Sequence, residues 1–161
     1  LAATGMLRSA AMSGNGEETI LAATAVLADA KVAPELENEA RHYRSKALVN
    51  AGQMQYAAED WKVLAQDTRN VYGAEAKYRY AQYLFDEGKT TEAEKEVLNY
   101  LEVSTPHTYW LARGFVLLSD IYAKLGRKLE ARQYLLSLKQ NYQADDDIAG
   151  MIESRLQNLS E

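Results

Sequence analysis

Three glycines constrain this chain more than any other feature. Gly52, Gly88 and Gly126 lie 36 and 38 residues apart, and five residues after each stands an alanine: Ala57, Ala93 and Ala131. Ahead of each glycine lies a small side chain, Ser45, Ala81 or Ser119. A glycine able to take left-handed backbone ends a helix. Small residues at matched places on two helices let their backbones approach closely. A repeat of this length, built from one helix, a glycine turn and a second helix, specifies a stack of helix pairs.

The copy around Gly126 is the clearest. Phe115, Leu118, Ser119, Tyr122 and Leu125 keep the spacing of three and four that puts one stripe on a helix, and Ala131, Leu135 and Leu138 repeat it after the turn. Upstream, an alanine-rich helix over 1–12, the turn Ser13-Gly14-Asn15-Gly16 and a partner helix over 17–30 form a fourth, degenerate copy, with Thr19 in the alanine's place.

Pro34 fits the first position of a helix reaching to about Ala51, and Glu35, Glu37 and Glu39 complement the positive end of its dipole. The next helix, over 55–68, buries Ala57, Trp61 and Leu64, with Trp61 as core. A helix over 74–87 carries Tyr78, Tyr80, Tyr83, Leu84 and Phe85, more aromatics than one core face needs. Tyr80 and Leu84 match buried positions, whereas Tyr78 and Phe85 fall toward the other side, as a contact site or as packing against adjacent repeats.

Thr91 with Glu94 reads as a capping box, and Thr105-Pro106 as a cap and first-turn proline. Asp145, Asp146 and Asp147 precede a terminal amphipathic helix, either a lid over the last pair or the first half of another. The expected division is a single all-α domain with repeats over about 1–31, 34–69, 74–105 and 106–143 and a terminal helix over about 146–159.

Composition excludes several functions. A net charge of −5 argues against general affinity for nucleic-acid backbones, which draws on clustered Lys and Arg. There are no cysteines, hence no disulfide framework, thiolate metal site or Cys nucleophile. No apolar run approaches the length needed to cross a bilayer, so direct membrane insertion is not expected. The three aspartates lack the alternate spacing and sixth-position glycine of a calcium loop, so they read as helix caps rather than a metal site.

His42 and His107 are the only histidines and cannot form a ligand pair one turn apart. No nucleophile motif or phosphate loop accompanies them, so neither enzymatic activity nor a cofactor is expected. The chain starts at leucine, and a piece of something longer is the expectation.

These residues resemble the tetratricopeptide repeat (TPR) family. The matching positions are Ser119, Tyr122, Gly126 and Ala131; Ala81, Leu84, Gly88 and Ala93; and Ser45, Leu48, Gly52 and Ala57. The spacing exceeds the family's usual 34 residues, and the closing proline is present only as Pro106. The resemblance implies a right-handed α-solenoid of antiparallel helix pairs, acting as a non-enzymatic module that holds a peptide or helix along a concave surface.

Mapped by repeat position, that surface would present Arg8, His42, Lys46, Tyr78, Gln82, Arg113 and Asp120. The set leans basic and suits an acidic or carboxylate-bearing protein segment. Lys46 and Arg113 are the nearest equivalents of the family's carboxylate clamp, without an accompanying Asn. The wording Tyr78-Arg79-Tyr80-Ala81 through Gly88 to Glu94, with Ala123-Lys124-Leu125-Gly126, is similar to repeats of bacterial cell-envelope assembly proteins, which implies a periplasmic or envelope setting. A structural spacer within a longer repeat protein, or the regulatory arm of an enzyme, are the other classes. Repeat ends can stack or be capped, so the pattern fixes no oligomeric state.

Overall fold

The computed structural model describes residues 2–160; Leu1, where the expected first helix begins, and Glu161 lie outside the described residues. Among the described residues the chain is all-α: α1 (Ala2–Ser13), α2 (Gly16–Ala28), α3 (Pro34–Asn50), α4 (Met54–Leu64), α5 (Val71–Asp86), α6 (Thr90–Glu102), α7 (Thr108–Lys124), α8 (Lys128–Asn141) and α9 (Ile148–Ser160). Among the described residues no helix is long and apolar enough to cross a membrane. The chain divides between Tyr80 and Ala81 into two compact units.

The turn glycines do what their spacing predicts. Gly14, Gly52, Gly88 and Gly126 have φ of 76°, 75°, 79° and 78°, the region that a Cβ penalises. Each is followed by a residue whose N–H reaches back into the last helical turn: Asn15 to Ala10 O, Gln53 to Leu48 O, Lys89 to Leu84 O and Arg127 to Tyr122 O, at 3.2, 2.8, 2.9 and 2.8 Å. One backbone device therefore closes the first helix of all four pairs and satisfies carbonyls that would otherwise lack partners.

Small residues then let the paired helices meet. Ala57, Ala93 and Ala131 are each fully buried, as are Ser45, Ala81 and Ser119 within 2%. In the degenerate copy Thr19 is 4% exposed and its hydroxyl donates to Asn15 O at 2.7 Å, so a polar side chain occupies the alanine's place without losing a bond.

In the first unit α1, α2 and α3 share a core of Leu7, Ala22, Ala23, Val26 and Ala40. Trp61 is 6% exposed on α4, in the core as its spacing predicts. Beneath the α3–α4 contact lies an ion cluster with no local sequence signal. Asp60 is 1% exposed and accepts from Arg44 Nε and Nη2 at 2.8 and 2.7 Å and from Arg41 Nη1 at 3.2 Å, while Arg44 Nη1 donates to Thr24 on α2.

In the second unit Ala112, Val116, Leu135, Leu138, Ile148 and Ile152 form one cluster, so α9 seals α7 and α8 with its own aliphatic stripe. The aspartates ahead of it divide their work. The Asp146 carboxylate accepts from Ile148 N, whereas the Asp147 carboxylate accepts from the Tyr109 hydroxyl on α7.

Four helix ends differ from the sequence expectation. α4 stops at Leu64 and α5 begins at Val71, because Asn70 caps α5: its Oδ1 accepts from Gly73 N at 2.9 Å, and its Nδ2 donates to Asp67 O. Thr91 does not cap α6; the helix begins at Thr90 with Lys89 at the cap, which places Thr91 inside the first turn. Pro106 precedes α7 rather than opening it, and the Thr105 hydroxyl accepts from His107 N in the turn before the helix.

Candidate interaction surface

The seven residues expected to line a binding face have different fates, which follow from what their neighbours offer. In the first unit the first helices of the pairs, α1 and α3, together with α5 up to Tyr80, bring Arg8, His42 and Lys46 onto one face.

Arg8 is engaged in a planar two-bond pair with Glu39 of α3, Nε to Oε1 at 2.7 Å and Nη2 to Oε2 at 2.9 Å. That bonding holds the Glu39 carboxyl below its ordinary range and raises Arg8. The Arg8 side chain remains 53% exposed, so the pair contributes little to stability even though it fixes geometry.

His42 sits beside this pair and packs its ring against Tyr72 of α5, with centroids 4.4 Å apart and the planes tilted by 31°, and leans on Tyr43 at 5.5 Å. Burial lowers its pKa; the cations Lys46 and Arg79 push the same way, against Glu75 and Glu39. Burial thus favours the neutral imidazole, and it likewise pushes Tyr72 up.

Lys46 is exposed and, among the described residues, forms no ion pair. It borders a cleft of about 260 Å³ with Thr19, Tyr43, Ala47 and Asn50.

Tyr78 is 6% exposed and belongs to the core rather than to a contact face. The reason is its register: it stands four residues after Ala74 and three before Ala81, on the buried stripe of α5. Gln82 is half-buried and its Nε2 donates to Asp86 one turn on.

In the second unit Arg113 and Asp120 lie on α7, where Arg113 meets the turn ahead of α9 and Asp120 meets α9 itself. Arg113 Nη1 donates to the Tyr109 hydroxyl at 2.9 Å and lies 3.8 Å from the Asp147 carboxylate. Asp120 accepts Nε and Nη2 of Arg155 at 3.0 and 3.1 Å. Both charges that would have met a ligand here are engaged within the unit instead, Arg113 by Tyr109 and by Asp147 ahead of α9, and Asp120 by Arg155 of α9.

Sequence reasoning missed Glu39, Tyr72 and Arg155, because each finds its partner across helices at a separation of 30 or more residues. Tyr72 alone had a usable signal: Asn70 two residues earlier marks a helix start that would have placed it on the first turn of α5.

No protein-family model matches the sequence, and no curated protein matches it. Among solved structures, the chain is similar to the kinesin-light-chain-like protein of Podosopora anserina built of nearly identical TPR-like repeats, at 15% identity with a TM-score of 0.63, covering 98% of this chain and 83% of that one. The crystal structure of a single-substitution variant of that protein gives 15% identity and a TM-score of 0.66 over the same shares. Identity this low speaks to fold, and the fold agrees with the glycine turns and small-residue contacts above. The chain therefore has the TPR-type fold, a stack of antiparallel helix pairs.

Proposed function

We propose that this chain is a non-enzymatic protein-interaction module, and that its contact face is the α1–α3–α5 surface of the first unit. The observation that carries the reading is the tilted His42–Tyr72 ring contact, held beside the Arg8–Glu39 pair and next to Lys46, which forms no ion pair among the described residues. Ordered aromatic groups offer large contact area at low entropic cost. A neighbouring ion pair whose geometry is already fixed adds directional polar contacts without further ordering.

The partner class that fits is an extended segment placing an apolar or aromatic side chain on the Tyr72–His42 rings and a carboxylate on Lys46. Arg8 is already neutralised by Glu39, and Arg113 faces Asp147 and Tyr109, so Lys46 is the cation available for such a segment. His42 packs against a ring rather than bonding to a carboxylate, which favours a contact role over a general base.

The test is selection of displayed peptides on the wild-type protein, followed by affinity measurement with His42→Ala and Lys46→Glu. Acidic-aromatic peptides that lose about tenfold or more on each variant support the face. Selected peptides that bind both variants as well as wild type would refute it.

A further inference from the structure

Two stripes meet on the face of the first unit. On α3, Glu39, His42 and Lys46 follow one another at spacing of three and four, which puts them on one side of the helix. On α5, Tyr72, Glu75 and Arg79 do the same. The His42–Tyr72 ring contact, with centroids 4.4 Å apart, sets the two stripes against each other. From α1, Arg8 joins them through its pair with Glu39, and Tyr43 of α3 lies 5.5 Å from the imidazole.

Both carboxylates of this cluster already have cations. Glu39 is bonded to Arg8, and the Glu75 carboxylate accepts from Arg79 Nε at 3.1 Å. Lys46 is the cation left without an ion pair among the described residues. His42 is half-buried, and among the described residues no hydrogen bond holds either of its ring nitrogens. No buried side-chain nitrogen or oxygen of the described residues lacks a hydrogen-bond partner, so these nitrogens are open to solvent. A ring fixed by packing, with its polar edge open, can bond an incoming group without first giving up another bond.

The neutral ring adds no charge to the face. Burial disfavours the imidazolium, as do Lys46 and Arg79, against Glu75 and Glu39. A partner's carboxylate arriving at Lys46 changes that balance. It offsets the repulsion between Lys46 and a charged ring one turn away, and it can accept a hydrogen bond from the ring once both nitrogens carry protons. The Tyr72 contact survives, because a cation within about 6 Å of a tyrosine ring centroid is attracted to it.

We propose, on the reading that this face is the contact site, that His42 is its proton gate: with a proton taken from solvent, the imidazolium joins Lys46 as a second cation for the carboxylate of an acidic partner segment. Proton uptake and partner binding then favour each other reciprocally. Affinity rises as the pH falls through the His42 midpoint of the bound protein and levels off below that of the free protein, where His42 is charged in both states. Below about pH 4 the partner's own carboxylate is neutralised and the gain is lost.

Two readouts test the gate. The first needs no partner: Lys46→Glu puts a carboxylate where the partner's would sit, and the His42 ring resonances, followed by NMR from about pH 8 to about pH 5, should titrate at a clearly higher pH than in wild type. The second uses a display-selected acidic-aromatic peptide, with binding read by fluorescence anisotropy and circular dichroism confirming the fold at each pH. Wild type should bind it about threefold or more tightly at about pH 5.5 than at about pH 7.5. His42→Phe keeps a ring against Tyr72 but cannot be charged, and should show the same affinity at both. A His42 titration that Lys46→Glu leaves unchanged, a wild-type affinity that ignores pH, or a pH response that His42→Phe retains each overturns the gate and leaves the contact face standing. Selected peptides that bind Lys46→Glu and His42→Ala as well as wild type overturn both.

Discussion

Asp60 and Arg44 form a two-bond ion pair at 2.8 and 2.7 Å, with the carboxylate 1% exposed and the guanidinium reaching on to Thr24. Asp60 therefore ties α4 to α3, and Arg44 ties α3 to α2. Truncating a buried partner strands the other charge, which costs about 3–5 kcal/mol. The Arg44 side chain keeps 21% of its exposure, so Asp60→Ala should fall near the lower end of that range. Urea unfolding of the variant against wild type measures it, and a loss below about 1 kcal/mol would place this pair with surface ion pairs.

Gly73 makes a different kind of demand. A Cβ there would overlap the Asp67 carbonyl oxygen and lie 2.7 Å from that of Leu64, backbone atoms that cannot swing aside. Gly73→Ala should destabilise by about 1–3 kcal/mol despite alanine's better helix propensity. Gly150, inside α9 with nothing within 4 Å of its would-be Cβ, should instead gain about 0.5–1 kcal/mol on the same change. Opposite shifts in the unfolding midpoint check both.

What holds α9 is its aliphatic stripe rather than its ion pairs. Ile148 is fully buried, and Ile148→Ala should cost about 2–5 kcal/mol. The Asp120–Arg155 side chains are 32% and 34% exposed, so Arg155→Ala should cost about 1 kcal/mol or less. Chemical denaturation separates the two, and comparable losses would contradict this ordering.

Acid should weaken the fold in two stages. His42 titrates lower when folded than its ordinary 6.5, mainly through burial, so below that value the unfolded chain takes up a proton the folded chain resists. Stability is complete above about pH 6.5 and falls as the pH drops toward the depressed folded value. Glu39 adds a second loss below its ordinary 4.5, as its pairing with Arg8 is protonated away. His42→Phe, which keeps a ring against Tyr72, should remove the first stage and leave the second, as read by thermal melts from pH 8 to pH 3. At the other extreme, burial and the Asp146 hydrogen bond raise Tyr142 to about 12, so its contribution is lost as the pH rises above 10.

The helix pairs were legible because their signals are local: a glycine turn, an alanine five residues on, and stripes at spacing of three and four. Ala57, Ala93 and Ala131 are buried, and all four turn glycines have positive φ. Helix starts were less legible where a cap competes. Asn70 opens α5 through its side chain, whereas Thr91 offers the right letters one residue too late. The candidate face was least legible, since its meaning depends on partners from other helices. Tyr78 was open to a contact or a packing role until its register with Ala74 placed it in the core, and Arg113 and Asp120 read as ligand contacts until Asp147, ahead of α9, and Arg155, on α9, met them.

The measurement that bears most directly on the proposed function is amide chemical-shift mapping of a display-selected peptide on the isotope-labelled protein. Perturbations concentrated on α1, α3 and the first half of α5, centred on His42, Lys46 and Tyr72 and abolished by Lys46→Glu, are the predicted result. Perturbations confined to α4, α6 or α8, or unchanged by Lys46→Glu, would contradict the assignment of this face.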